Sequence, residues 1–254
     1  MIKIQQNIEL IDPYPAIYIK RIDALVITDL HLGIESILAE QGVYVPKVQF
    51  KKEISILKKI FEIESPSKII IIGDIKHEFS ETSYHEFIEV HKLLSFLTEQ
   101  TEVLLIKGNH DNYINRVTKS FNIPVTDIYE EKEYFFAHGH EDIALEKVKS
   151  RTIIIGHEHP AIALYDNLGI KEKLPVLMVG KLMTGHNIVV LPAFSTFAQG
   201  SEVNNIPQSE LLSPMLRNFA NIDDFCVWTV DVEVGVFEYP ELKRLKIRDT
   251  KYEI

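Results

Sequence analysis

Between Leu105 and Tyr113 the chain reads LIKGNHDNY, and after Lys107 an amide, an imidazole and a carboxylate at Gly108-Asn109-His110-Asp111 break off the apolar run VLLI (103–106). Alone, this could be a turn, because Gly, Asn and Asp are ordinary turn residues. The pattern recurs, however. ALVIT (24–28) runs into Asp29-Leu30-His31, and KIIII (68–72) into Gly73-Asp74-Ile75-Lys76-His77. YFFA (134–137) runs into His138-Gly139-His140, and TIII (152–155) into Gly156-His157-Glu158-His159. Most of the ten histidines fall in these five places. Any one of them could be a strand-end turn; five at the same position would require repeated coincidence. Imidazole nitrogens and carboxylate oxygens without thiolates suit borderline divalent ions: Mn, Fe, Zn, Ni or Co. The donors are too many for one catalytic ion and suit two. Two adjacent dications repel, so a carboxylate between them is expected, and Asp74 is the residue expected there.

These donors need a scaffold that aims them at one place. The five apolar segments are short, β-branched or aromatic, and not alternating, which predicts strands covered on both faces. Between the early ones lie helical patterns. Phe50, Ile54, Leu57 and Phe61 share one face, and Phe87, Val90, Leu94 and Leu97 make another stripe. The second helix is expected to open with a capping box from Ser83 to Glu86. Strand–helix alternation predicts an α/β layered domain, in which ligands bind beyond the carboxyl ends of the strands. After Pro160 the segments 176–179, 188–191, 225–230 and 235–239 read as strands of a second, mixed sheet, with a helix-like piece near 210–219. No Gly- or Ser-rich linker interrupts the chain, so residues 1–254 are expected to form one domain.

The bulk numbers narrow the function classes. Net charge is −10, whereas proteins that live on phosphate-backbone contacts are usually basic. The basic run KRLKIR (243–248) reads as a solvated strand edge. Cys226 is the only cysteine, which leaves no disulfide framework and no thiolate zinc site. A reducing, cytoplasmic location is the expectation. The N-terminal MIKIQQNIELIDPYP has no apolar core of a signal peptide, and no apolar run is long enough to span a membrane.

The ordered set D-x-H, G-D-x-x-H, G-N-H-D, H-G-H, G-H-x-H resembles the calcineurin-like metallophosphoesterases. It covers about residues 20–160, and within that superfamily GDIKHEF (73–79) and VVLPAFSTFAQGSEVN (189–204) resemble the archaeal SbcD-related phosphoesterases. The resemblance implies two facing mixed β-sheets flanked by helices, a four-layer αββα fold in which residues 161–254 complete the second sheet. It implies that Asp29, His31 and His159 hold one ion, that Asn109, His138 and His157 hold the other, and that Asp74 bridges. Mn is the first expectation for the metal. His140 is the weaker member of its motif, and His110 would face substrate rather than metal. His77, three residues after Asp74, stands where the related protein phosphatases carry an Asp and is expected to handle protons or orient its neighbours. Asp111 is expected to cap the segment 112–121, and His186 to be structural.

The chemistry implied is hydrolysis of a phosphodiester, with nucleic acid or a nucleotide as substrate. Hydroxide shared by the two ions would attack in line while His110 protonates the departing oxygen. Two alternatives remain open from sequence: a phosphomonoesterase on a small molecule, and a metal-bearing scaffold for protein partners. A homodimer is expected from the resemblance only.

Overall fold

The computed structural model describes residues 1–79, 84–166, 168–198 and 200–246. Two mixed sheets face each other, with helices outside. The first sheet runs in sequence order: β1 (Ile2–Gln5), β2 (Ile8–Leu10), β3 (Ile17–Ile19), β4 (Ala24–Thr28), β5 (Lys68–Ile72), β6 (Glu102–Ile106) and β7 (Val125–Thr126). From β4 to β7 the pairing is parallel, and Thr28, Ile72 and Ile106 lie abreast. The second sheet contains β8 (Ile128–Glu131), β9 (Tyr134–Ala137), β10 (Thr152–Ile155), β11 (Pro160–Tyr165), β12 (Lys171–Lys181), β13 (Asn187–Val190) and β14 (Ser201–Glu202) in the order β14-β11-β12-β13-β10-β9-β8. β15 (Cys226–Asp231) pairs with β12 and with β16 (Gly235–Tyr239). The helices are α1 (Ile34–Glu40), α2 (Gln49–Ile63), α3 (Tyr84–Gln100), α4 (Asn115–Thr118) and α5 (Pro214–Phe219). Among the described residues, no helix is long and apolar enough to cross a membrane.

The unbroken apolar runs follow from burial on two sides. In β4, β5 and β6, Leu25, Ile27, Ile69, Ile71, Val103 and Leu105 pack under α2 and α3. The alternate residues Ala24, Val26, Ile70, Ile72, Leu104 and Ile106 meet Tyr134, Phe136, Ile154, Leu177, Val189 and Trp228 of the other sheet. Ile153, Ile155, Ile188 and Val190 point out the far side toward Met215, Leu216 and Phe225. A strand facing apolar partners on both sides has no polar face to alternate with.

Both helix stripes sit differently from the sequence pattern. α2 turns Gln49, Glu53, Ile56, Leu57 and Ile60 inward and leaves Phe50, Ile54 and Phe61 at the flank of the core. The inward polar pair has a task. Gln49 Nε2 lies 2.8 Å from the Leu30 carbonyl oxygen, 3.0 Å from Ser195 Oγ and 2.8 Å from Glu53 Oε1. In α3, Leu93 joins Val90, Leu94 and Leu97 in the core, while Phe87 is exposed. Ser83, the expected cap of this helix, lies outside the described residues; Glu86 accepts the backbone N–H groups of His77 and Glu78 at 3.0 and 2.7 Å. The stretch at 242–244 is a single 3-10 turn rather than a strand edge, with Lys243 Nζ 3.0 Å from Asp224 Oδ1; Ile247 and Arg248 lie outside the described residues.

Burial holds the Glu53 carboxyl well above its ordinary pKa, against the lowering effect of the Gln49 hydrogen bond. Among the described residues its Oε2 has no hydrogen-bond partner. A raised carboxyl pKa leaves stability intact at acid pH, where both folded and unfolded states are protonated. Stability is then lost as pH rises above the unfolded value, because only the unfolded chain ionises freely. Glu53→Gln is therefore expected to flatten the fall in urea midpoint between pH 5 and pH 8. A variant that keeps the parent's pH slope would show that Glu53 is not its source.

Candidate functional site

The parallel strands of both sheets end on one crevice. Asp29 follows β4, Asp74 follows β5 after Gly73, and Asn109 and His110 follow β6 after Lys107 and Gly108. His138 follows β9, and His157 and His159 follow β10. Cross-links lock these ends together: Asp29 N–H donates to the Gly73 carbonyl, His31 N–H to the Asp74 carbonyl, and Gly156 N–H to the His138 carbonyl. Asp29, His31, Asp74, His157 and His159 all adopt left-handed backbone, with φ of 53°, 48°, 46°, 65° and 44°. Such conformations cost a non-glycine residue roughly 1–3 kcal/mol, and they persist where surrounding structure over-determines them, typically at functional sites.

The structure gathers the residues expected from sequence into adjoining groups. The ligand atoms of Asp29, His31 and His159 lie within 4.8 Å of one another, and so do those of Asp74, His138 and His157. Asn109 Oδ1 joins the second group, 3.0 Å from His138 Nε2. Asp74 Oδ2 lies between them, 3.2 Å from His138 Nε2 and 3.9 Å from His31 Nε2. A third group of His31, His77 and His110 has no carboxylate to offset a dication's charge. His140 belongs to none of the three; its ring stands 5.1 Å from that of His138 and 5.8 Å from that of His157. His186 is tied to Thr184 Oγ1 at 2.8 Å and to the Val148 carbonyl at 3.2 Å, a structural residue.

The electrostatics are those of a cation site. Asp29 Oδ1 is buried and, among the described residues, without a hydrogen-bond partner, although His159 Nε2 and His138 Nδ1 stand 3.3 and 3.6 Å away. Burial alone would raise the Asp29 carboxyl, but the imidazoles of His159, His138 and His31 outweigh it, so the group is held ionised well below the carboxylate range. Burial lowers His31 to about 3 and His157 to about 4, leaving both as neutral imidazoles ready to donate a lone pair. His138 goes the other way. Burial opposes its charge, but hydrogen bonding to Asp74 and the charge of Asp29 raise it to about 9. An imidazolium between two carboxylates occupies the electrostatic place of a metal cation. Metal uptake would displace its proton, as ligation by histidine requires. The donor set therefore fits two borderline divalent ions.

Several further residues brace the donors. Thr28 Oγ1 lies 2.6 Å from both Asp29 Oδ2 and the Ile72 carbonyl oxygen. Phe194 and Ser195 donate backbone N–H groups to the Thr28 and Asp29 carbonyls, which gives the 189–204 stretch a bracing role. Asp111 does not cap the following segment. α4 begins only at Asn115, with no side-chain cap. Asp111 is instead buried under the site, where Oδ2 accepts from Gly108 N–H and Oδ1 from Ile75 N–H, both at 2.9 Å. Burial and then the charge of Asp74 push its carboxyl up to about 6. These roles were not legible in the sequence because most of them run through a contact distant along the chain, such as Asp111 to Ile75 and Ser195 to Asp29.

The glycines of the site are needed for space. A Cβ on Gly156 would lie 1.9 Å from Thr28 Oγ1 and 2.6 Å from Asp29 Oδ2, and one on Gly108 would lie 2.1 Å from Asp74 Oδ1. Gly156→Ala must displace Asp29. Loss of a ligand's supporting contacts typically weakens metal affinity by about 10–100-fold, and that loss is expected in a titration with Mn. Parent-like affinity in this variant would mean that Asp29 is not held where a metal needs it.

The family model for Calcineurin-like phosphoesterase matches residues 22–186. No curated protein matches the chain. Among solved structures, the Pseudomonas putida nuclease MPE is 18% identical, with a TM-score of 0.62 over 89% of this chain and 92% of that one. The E. coli phosphoesterase Yfce is 13% identical, with a TM-score of 0.38 over 89% of this chain and 96% of that one.

Proposed function

The chain belongs to the calcineurin-like phosphoesterase family, and from that membership we propose that it is a dinuclear metal-dependent phosphodiesterase acting on a nucleic acid or nucleotide. The carrying observation is the pair of His/Asp groups that meet at Asp74, with the buried, unpartnered Asp29 Oδ1 aimed into one of them. Asp29, His31 and His159 would hold one cation, and Asn109, His138 and His157 the other, with Asp74 between. Bound there, the cations would supply an acidified water and offset charge on the phosphoryl oxygens. Asn109 adds an oxygen donor without adding charge.

His110 does different work. Its Nδ1 donates to the His77 carbonyl oxygen, so Nε2 is the nitrogen left to face substrate, 4.0 Å from Asp74 Oδ2. With Nδ1 committed, Nε2 carries a proton only in the imidazolium form, and that proton goes to the departing oxygen. His77 positions. Its carbonyl fixes the His110 tautomer, and its own Nδ1 faces His31 Nδ1 at 3.3 Å, on the opposite side of the His31 ring from Asp74. The SbcD-like GDIKHEF signature supports a nucleic-acid or nucleotide substrate over a small monoester.

The test is a substrate panel with Mn alongside metal analysis of the purified protein: a chromogenic phosphodiester and monoester, single- and double-stranded DNA, RNA, and cyclic nucleotides. Two equivalents of metal and faster diester than monoester cleavage are expected. A faster monoester would make it a phosphomonoesterase, and full metal with no turnover on any substrate would make it a scaffold.

A further inference from the structure

Phe79 is half-exposed, at 49%, yet it is not a stray surface ring. Its centroid lies 3.6 Å from that of His110, tilted by 36°, and the His77 ring stacks on His110 at 5.4 Å and 22°. The backbone that carries Phe79 is braced: Glu86 accepts the His77 and Glu78 N–H groups, Lys76 Nζ donates to the Glu78 carbonyl, and Asn112 Nδ2 donates to the Phe79 carbonyl at 3.2 Å. A second exposed ring, Tyr113, follows on the His110 loop at 52% exposure, with the Arg116 guanidinium 4.7 Å over it. The proton donor is therefore bordered by a fixed aromatic surface that opens to solvent.

Resting on the reading of His110 given above, we propose that Phe79 is a stacking platform for the nucleobase of the leaving nucleoside. The oxygen that takes the His110 proton belongs to that nucleoside, so the ring packed on His110 is the first surface its base meets. Base–aromatic stacking tolerates any base, because every base has a flat π face. It also needs an unpaired base; in a duplex that face is already stacked on its neighbours. The platform thus sets a preference for single-stranded ends and short oligonucleotides, and stacking is a contact that does not depend on a basic surface, which a chain of net charge −10 lacks overall.

The test compares dithymidine monophosphate with an analogue lacking the base on the leaving nucleoside, which the products of the parent reaction identify. With Mn bound, kcat/KM is expected to favour the base-bearing substrate by about tenfold or more, the usual worth of one stacked base. Phe79→Leu keeps an apolar group over His110 and should collapse this ratio toward one; Phe79→Trp should restore it. A parent ratio near one, or an unchanged ratio in Phe79→Leu, overturns the proposal. So does an equal fall on both substrates, which would make the ring only a support for His110. If neither dinucleotide is cleaved, the phosphodiesterase reading fails on its own. Quenching of a 2-aminopurine dinucleotide that disappears in Phe79→Leu would then still sustain the platform, and no Phe79-dependent quenching would end it.

Discussion

Replacing His110 with alanine is expected to lower kcat on an unactivated phosphodiester by about 10²–10⁴-fold, the usual contribution of a positioned general acid, while bound metal stays at the parent level. The separation follows from the geometry. His110 Nε2 stands 4.0 Å from Asp74 Oδ2, outside the two groups that carry the carboxylates, and its Nδ1 is bound to the His77 carbonyl. The loss should depend on the leaving group. A nitrophenolate departs without help, so the variant should be far less impaired on a nitrophenyl diester than on a dinucleotide. Equal impairment on both, or loss of metal together with turnover, would show that His110 serves the metal site rather than the departing oxygen.

The second large effect is expected at Asp74. Its Oδ2 stands between the two groups, and its Oδ1 accepts the His110 N–H at 2.9 Å. Removing an outer support costs about 10–100-fold in metal affinity, and a carboxylate shared by two cations must cost more. Asp74→Ala should lose metal from both positions and fall to background activity. Parent protein should gain thermal stability as Mn is added, because a ligand that binds only the folded state stabilises it by mass action; the variant should show no such gain. Asp74→Asn keeps the shape and the bond from His110 N–H but not the charge. If it retained two metals at parent affinity, the bridging role would be disproved.

His110→Ala and Asp74→Ala differ from Glu53→Gln in kind. Glu53 is buried beneath the site and bonded to Gln49, which supports the Leu30 carbonyl. Its substitution moves the pH dependence of stability and leaves the metal donors in place. A shared loss of metal across all three variants would instead point to one cooperative collapse of the crevice.

How much of this could be read beforehand depends on what each feature needed. The five apolar segments became β4, β5, β6, β9 and β10 within a residue of their expected limits. Burial on both faces had forced every position to be apolar, a signal that survives in one dimension. The helical stripes were less faithful: Phe87 is exposed, and Gln49 and Glu53 are inside. There the site's need for an amide beside the Leu30 carbonyl outweighed hydrophobic periodicity. Asp111 misled for a related reason. An Asp ahead of a short helical stretch looks like a cap, but its two oxygens bind N–H groups on either side of the crevice floor, one of them 36 residues back.

What the sequence determined by itself was the set of candidate donors and the strand ends that carry them, because residue type and strand boundary are local properties. The arrangement of those donors was decided only in three dimensions. Asp29, His31, Asp74, His157 and His159 sit in left-handed backbone that none would favour in isolation. They are held there by bonds such as Asp29 N–H to Gly73, His31 N–H to Asp74, and His157 N–H to Asp29 Oδ2, which join segments 43 to 128 residues apart. The cluster of rings around His110 is of the same kind. Phe79 and His110 meet because two separate strand ends open on one crevice, and that is a fact of packing rather than of spacing.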